Sequence, residues 1–314
     1  MPVTDALRET AAQLLAEGTV QVVLGWERGT LPLRTTPLPA RTVEEAGRLV
    51  ADATCDNNLT LYLTRLKEER VGLVARPCEA RALVEYLREH RVTPGRVLAI
   101  GVPCTGMLSR RALEARLGGR LPEAGRLDGD QVVGTAGGAE ERIALAEVLE
   151  PACRGCRLPD AAVYARVLGH PCPPAGDRHT LLQRSDNLAA DARYAEFVEA
   201  AARCLRCYAC RQACPLCYCA ECFTDRSAPA WVGPSDDLSD TMLFHLTRAM
   251  HLAGRCVDCG ACVRACPVGV DLSHLNLALG REAAQRFGYR PGLDPADRPL
   301  VATFRPDDPE EFIR

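Results

Sequence analysis

Short apolar runs alternate with amphipathic stretches across the first half of this chain. Val71–Ala75 and Val97–Val102 are compact apolar runs of strand length, and Thr19–Leu24 reads the same way. Val43–Ala53 reads as a short helix. Asp56 stands where it can cap a helix running to about Glu69, because Leu59, Leu63 and Leu66 recur at helical spacing. Glu79–His90 is amphipathic, and Glu140–Leu149 reads as a further helix. Strand, helix and strand from 71 to 102 form a β-α-β unit, whose strands should be parallel and joined by a right-handed crossover. The expected class for residues 1–170 is therefore α/β, a partial doubly wound parallel sheet. Pro171-Cys-Pro-Pro-Ala-Gly176 then breaks the pattern and opens a linker over 171–193. From 194 to 290 the pattern is mainly helical and irregular, with helices at Tyr194–Arg203 and Thr241–Ala253 and a long insertion at Pro229–Asp240. The tail, 291–314, is rich in proline and aspartate, with Phe304 and Phe312 as isolated apolar points. A tail of that kind hangs in solvent or lies along a partner.

Composition adds limits. Of the 314 residues 47% are hydrophobic, enough for ordinary cores, and the net charge of −3 gives no strong field for nucleic acid or an anionic membrane. The N-terminus carries charges where a signal peptide needs an apolar core, and no run approaches a membrane span. The chain holds 17 cysteines. So many thiols without an export signal imply a reducing, cytoplasmic setting in which cysteine serves metal rather than disulfides.

The spacing of those cysteines carries the chemistry. Cys204-x-x-Cys207-x-x-Cys210-x-x-x-Cys214-Pro215 is answered by Cys256-x-x-Cys259-x-x-Cys262-x-x-x-Cys266-Pro267. This run ligates 4Fe-4S clusters in bacterial-type ferredoxins, where the fourth cysteine reaches the neighbouring cluster. Cys204, Cys207, Cys210 and Cys266 are expected to hold one cluster, and Cys256, Cys259, Cys262 and Cys214 the other. Structural zinc sites use two Cys-x-x-Cys pairs instead. Residues 194–290 thus read as a ferredoxin-like dicluster domain. Cys217, Cys219 and Cys222 exceed what two clusters need. They either hold a further cluster with a distant partner such as Cys172, Cys55 or Cys78, or surround the first cluster as spare thiols.

Five more cysteines belong to the first half. Val71–Ala75 and Val97–Val102 each lead into a Pro-Cys pair, and parallel strands bring Cys78 and Cys104 to one edge of the sheet. Cys55 should begin near that edge, and Cys153-Arg-Gly-Cys156 can close a four-thiolate site. Cys104, Cys153 and Cys156 are the first choices for a third cluster, with Cys78 ahead of Cys55 as the fourth ligand. The plainer alternative is that Cys55, Cys78 and Cys104 are small buried hydrophobes.

At these residues the chain resembles a known family. Gly72-Leu-Val-Ala-Arg-Pro-Cys-Glu-Ala-Arg-Ala-Leu83, Ile100-Gly-Val-Pro-Cys-Thr-Gly-Met107 and Cys153-x-x-Cys156 are similar to the beta subunits of deazaflavin (coenzyme F420)-reducing hydrogenases and formate dehydrogenases. The resemblance covers roughly residues 50–170. It implies a 4Fe-4S cluster and, in full-length members, FAD that passes hydride to the deazaflavin. The α/β part ends soon after Cys156, where those subunits continue, so the chain looks closer to ferredoxin-fused relatives that accompany heterodisulfide-reductase-like and formate dehydrogenase complexes.

Other motifs are weaker. No Gly-x-Gly-x-x-Gly follows a strand. Val132-Val-Gly-Thr-Ala-Gly-Gly138, read as preceding a helix, is either a phosphate cradle or an ordinary turn. His245 and His251 lie six apart and do not share a helix face as paired ligands would, so packing or a surface role suits them. Two functions from different classes remain. One is a carrier with three or four clusters that relays electrons between catalytic or flavin-bearing partner subunits and an acceptor, idle by itself. The other is a flavoenzyme that reduces or oxidises a deazaflavin or nicotinamide.

Overall fold

A computed structural model describes residues 2–154, 156, 163–169, 178–300 and 306. Cys172, the start of the linker, and Phe304 and Phe312 of the tail lie outside the described residues. The chain divides into two compact units, residues 1–80 with 92–177 and residues 81–91 with 178–314. The helical residues 81–91, read from sequence as part of the α/β half, belong with the second unit.

The first unit is built on a mixed sheet. Its strands are β1 (Val22–Arg28), β2 (Thr35–Ala40), β3 (Leu49–Val50), β4 (Val71–Ala75), β5 (Val97–Gly101) and β9 (Tyr164–Val167). Between the last two lie β6 (Ala124–Asp128), β7 (Gln131–Ala136) and β8 (Ala139–Ala144) of a separate sheet. The main order is β2-β1-β4-β5-β9, with β3 also on β1. Pairs β1–β4, β4–β5 and β5–β9 are parallel, as the β-α-β reading requires, while β2 and β3 run antiparallel to β1. All five residues of β4 are buried, as in a strand covered on both faces. Helix α1 (Val3–Ala16) lays Leu7, Ala11 and Leu14 on the core at i, i+4 and i+7.

Four expectations are corrected. Glu140–Leu149 is strand β8 followed by a 3-10 turn, not a helix. Gly137 and Gly138 both take positive φ, at 59° and 76°, which makes a two-residue hairpin turn between β7 and β8 and overrides the helical preference of Glu140 and Glu141. The same hairpin places Val132–Gly138 in a strand and turn, so the segment precedes no helix and loses its phosphate-cradle geometry. Val43–Ala53 is helical only over Val43–Ala46, where Thr42 and Glu45 form a capping box; Leu49–Val50 then pairs with β1. Asp56 caps nothing there. Asn58 accepts the Thr60 N–H at 3.1 Å and caps a 3-10 helix over Leu59–Arg65.

Helix α2 (Pro77–Arg88) follows β4 directly. Proline occupies its first position, and Glu79 Oε2 accepts the Arg76 N–H at 3.0 Å. Residues 81–91 carry buried charge that the second unit satisfies. Glu85 pairs with Arg88 at 2.8 Å and accepts the Gly292 N–H at 2.6 Å, and Arg88 donates to the carbonyls of Asp297 and Arg298. Glu89 takes both arms of Arg255 at 2.6 and 2.7 Å. The other helices of this unit are α4 (Ala190–Ala202), α5 (Leu238–His251) and α6 (Ser273–Phe287), counting α3 (Arg110–Arg116) in the first unit. Single helical turns stand at Gln183–Asp186, Ala209–Gln212 and Ala261–Arg264.

Candidate metal centres

The two cysteine runs fold alike. Cys204 follows the end of α4, its N–H on the Ala201 carbonyl. Arg206 and Tyr208 take left-handed backbone, at φ 46° and 57°, and Asp258 and Gly260 take the same at 57° and 68° in the second run. Left-handed non-glycine residues are uncommon and cost energy, and they cluster where a loop must turn its amides to one side. Here the turned amides meet sulfur. The Arg206 N–H lies 3.3 Å from Cys204 Sγ, and the Asp258 N–H bonds the Cys256 thiol. Each loop runs into a single helical turn, Ala209–Gln212 or Ala261–Arg264. Past it, Val270 N–H donates to Cys266 Sγ at 3.2 Å, and the amide of Leu216 bonds Cys214.

Thiols act on one another across the two runs, Cys262 on Cys210 included. The Cys204 thiol interacts with those of Cys266 and Cys207, while Cys256 and Cys262 both interact with Cys214. Cys204, Cys207 and Cys210 of the first run and Cys262 and Cys266 of the second line one cavity together with His245 and Arg248 of α5. Among the described residues no three His, Cys, Asp or Glu side chains converge on one ion-sized point. Thiols spread around a cavity suit a multi-iron cluster better than a single ion. Burial pushes the Cys210 and Cys262 thiols up to about 11, with Arg248 opposing in each case.

Cys217, Cys219 and Cys222 do not gather. Cys217 takes a hydrogen bond from Cys214, which lowers its thiol, and another from Arg248. Cys219 is exposed and acts on Arg255, and Cys222 lies against Thr224 and Arg211. Tyr218 fixes this segment. Its ring meets Tyr86 edge-on at 5.1 Å between the cations of Arg91 (4.7 Å) and Arg255 (5.3 Å), while Tyr86 Oη donates to the Pro215 carbonyl at 2.7 Å. Tyr218 thus packs within the second unit, on Tyr86 and Arg91 of residues 81–91 and on Arg255.

In the first unit β4 and β5 end in register, Ala75 opposite Gly101, so Cys78 and Cys104 leave the same edge. Arg76, buried and paired with Glu79 at 2.6 Å, interacts with both thiols. Cys104 also interacts with Cys156, and its thiol is raised by burial against the pull of Arg76. Met107 N–H donates to Cys153 Sγ at 3.3 Å. Gly106 makes that approach possible. It has φ 103°, and a Cβ there would stand 2.6 Å from Leu149. Cys55 differs from these. Its wholly buried thiol points to the Val50 carbonyl at 3.8 Å, and burial pushes it up to about 12.

Two residues near the thiols escape the sequence reading. His245 Nε2 lies 3.3 Å from Cys204 Sγ, and burial, with Arg248 adding, lowers the imidazole to about 4, which leaves it neutral. Arg248 stands one helical turn on. Thr241, Phe244, His245 and Arg248 form the buried face of α5, so a signal existed: the helix turns its polar residues inward. The buried Arg248 Nε–H has no acceptor among the described residues. An orphaned cationic donor among thiols fits a group rich in anionic sulfur.

Comparison with known proteins agrees with the cysteine pattern. A family model described as a 4Fe-4S binding domain matches residues 252–270. The chain is 33% identical over 98 residues to the F420-dependent formate dehydrogenase subunit beta of Methanocaldococcus jannaschii, covering 31% of this chain and 25% of that protein. It is 32% identical over 99 residues to the F420-dependent formate dehydrogenase 1 subunit beta of Methanococcus maripaludis, covering 32% and 25%. The resemblance read from the Pro-Cys motifs is thereby borne out, although the chain spans about a quarter of the length of these relatives. A chain of the F420-reducing NiFe hydrogenase complex from Methanosarcina barkeri aligns at a TM-score of 0.38 and 16% identity, over 48% of this chain and 58% of that one. No helix among the described residues is long and apolar enough to cross a membrane.

Proposed function

We propose that the chain is an iron–sulfur electron-transfer subunit of a multisubunit cytoplasmic oxidoreductase of the formate dehydrogenase, hydrogenase or heterodisulfide reductase type. The observation that carries this reading is the matched pair of loops, each turning a backbone amide onto sulfur. Cys204, Cys207, Cys210 and Cys266 hold one 4Fe-4S cluster, and Cys256, Cys259, Cys262 and Cys214 the second. Cys104, Cys153, Cys156 and Cys78 hold the third, while Cys55 serves as a buried thiol within the first unit. Such clusters supply one-electron storage at potentials set by hydrogen bonds to sulfur and by nearby charge. This chain's own residues hold the thiolates in place, aim Arg206, Val270 and Met107 amides at sulfur, and line the second-unit cavity with His245 and Arg248 of α5. Electrons pass between a catalytic or flavin-bearing partner and an acceptor.

A carrier takes electrons but completes no reaction alone. Dithionite should bleach the visible absorption of the anaerobically purified protein, and the isolated chain should not turn over NADH, formate or hydrogen. Robust oxidation of NADH or reduced deazaflavin by the chain alone, with free flavin released by acid, would replace the carrier with a flavoenzyme.

A further inference from the structure

We infer that Arg248 is a cation shared by both clusters of the second unit and raises the potential of each, an inference that rests on the ligand sets proposed above. Arg248 is 8% exposed. Its Nη2 donates to the Cys210 carbonyl at 3.2 Å, and it interacts with the thiols of Cys262, Cys214, Cys217 and Cys210. Those partners come from both sets. Cys210 belongs to one cluster, and Cys262 and Cys214 to the other.

Three other buried arginines show what a carboxylate partner looks like here. Arg76 has Glu79 at 2.6 Å, Arg88 has Glu85 at 2.8 Å, and Arg206 has Asp240 at 3.9 Å. Arg248 pairs with no carboxylate among the described residues. A buried charge without a counter-charge is strongly unfavourable. Here the counter-charge is sulfur, and the orphaned Nε–H supplies a further donor toward it. Arg248 lines one cavity with Cys210 and Cys266 of the first set and Cys262 of the second. Each reduction adds one electron to a cluster and no proton, so a fixed positive charge beside both clusters favours both reductions. One cation then serves two redox centres.

The test is an EPR-monitored redox titration of the cluster-loaded full chain, with dithionite as reductant, in wild type, Arg248→Met and Arg248→Lys. At the potential where each wild-type cluster is half reduced, Arg248→Met should lower the reduced-to-oxidised ratio of both second-unit clusters by about tenfold or more, as loss of a nearby unit charge at an effective dielectric of ~20 implies. Arg248→Lys should stay near wild type, and the cluster of Cys104, Cys153 and Cys156 should not move in either variant. A shift at only one second-unit cluster, or at neither, overturns the inference. If Arg248→Met fails to retain iron, Arg248→Lys decides. Retained iron with wild-type potentials supports a charge role. Equal loss of iron, or loaded clusters with displaced potentials, overturns it. Iron-free wild-type protein would remove the cluster reading itself and the inference with it, whereas iron-replete protein with unmoved potentials sinks the inference alone.

Discussion

Replacing Cys214 with alanine should abolish the cluster of Cys256, Cys259 and Cys262 and spare that of Cys204, Cys207 and Cys210, which stand closer in sequence. Cys266→Ala should do the reverse. This follows from the exchange of fourth cysteines proposed above, which is supported by the action of Cys214 on Cys256 and Cys262 and of Cys266 on Cys204. Each variant should lose about four of about 12 irons, one cubane of three. Low-temperature EPR of the reduced proteins should show complementary losses, and the magnetic coupling between neighbouring clusters should vanish in both. Coupling that persists unchanged in each variant would count against the interlocked arrangement. So would loss of the sequence-adjacent cluster in each case.

The largest stability effect is expected at Glu79. Glu79→Ala leaves Arg76 buried without its carboxylate, at 4% side-chain exposure, beside the Trp26 ring 4.6 Å away. Breaking a buried pair by deleting one partner costs about 3–5 kcal/mol, because the remaining charge is uncompensated. The deletion also frees the Arg76 N–H at the start of α2. Urea unfolding of the full chain, followed by Trp26 fluorescence in a Trp231→Phe background, reads the first unit. A loss below about 1 kcal/mol, the range of an exposed pair, would show that Glu79 is not the counter-ion. Iron analysis of the same variant reports on the Cys78 and Cys104 edge that Arg76 also faces.

Much of this was legible in the chain because cysteine spacing and strand ends are local signals. The two Cys-x-x-Cys-x-x-Cys runs fix their own loops, down to the left-handed residues two and four places after the first cysteine. The Pro-Cys pairs after β4 and β5 gave the shared edge. Where the reading failed, a longer-range term won. Glu140–Leu149 has helical composition, yet the paired positive φ of Gly137 and Gly138 commits it to a hairpin. Residues 81–91 read as an ordinary amphipathic helix of the α/β half, but Glu85, Arg88 and Glu89 find their partners at Gly292, Asp297 and Arg255. Nothing local announces partners so distant in sequence. His245 failed for another reason. The test applied to it was pairing with His251, whereas its partner is Cys204.

Metal analysis of anaerobically purified wild-type protein tests the central claim most directly. The account predicts about 12 irons per chain with matching acid-labile sulfide, from three cubanes, and negligible zinc. Stoichiometric zinc with little iron or sulfide would contradict it.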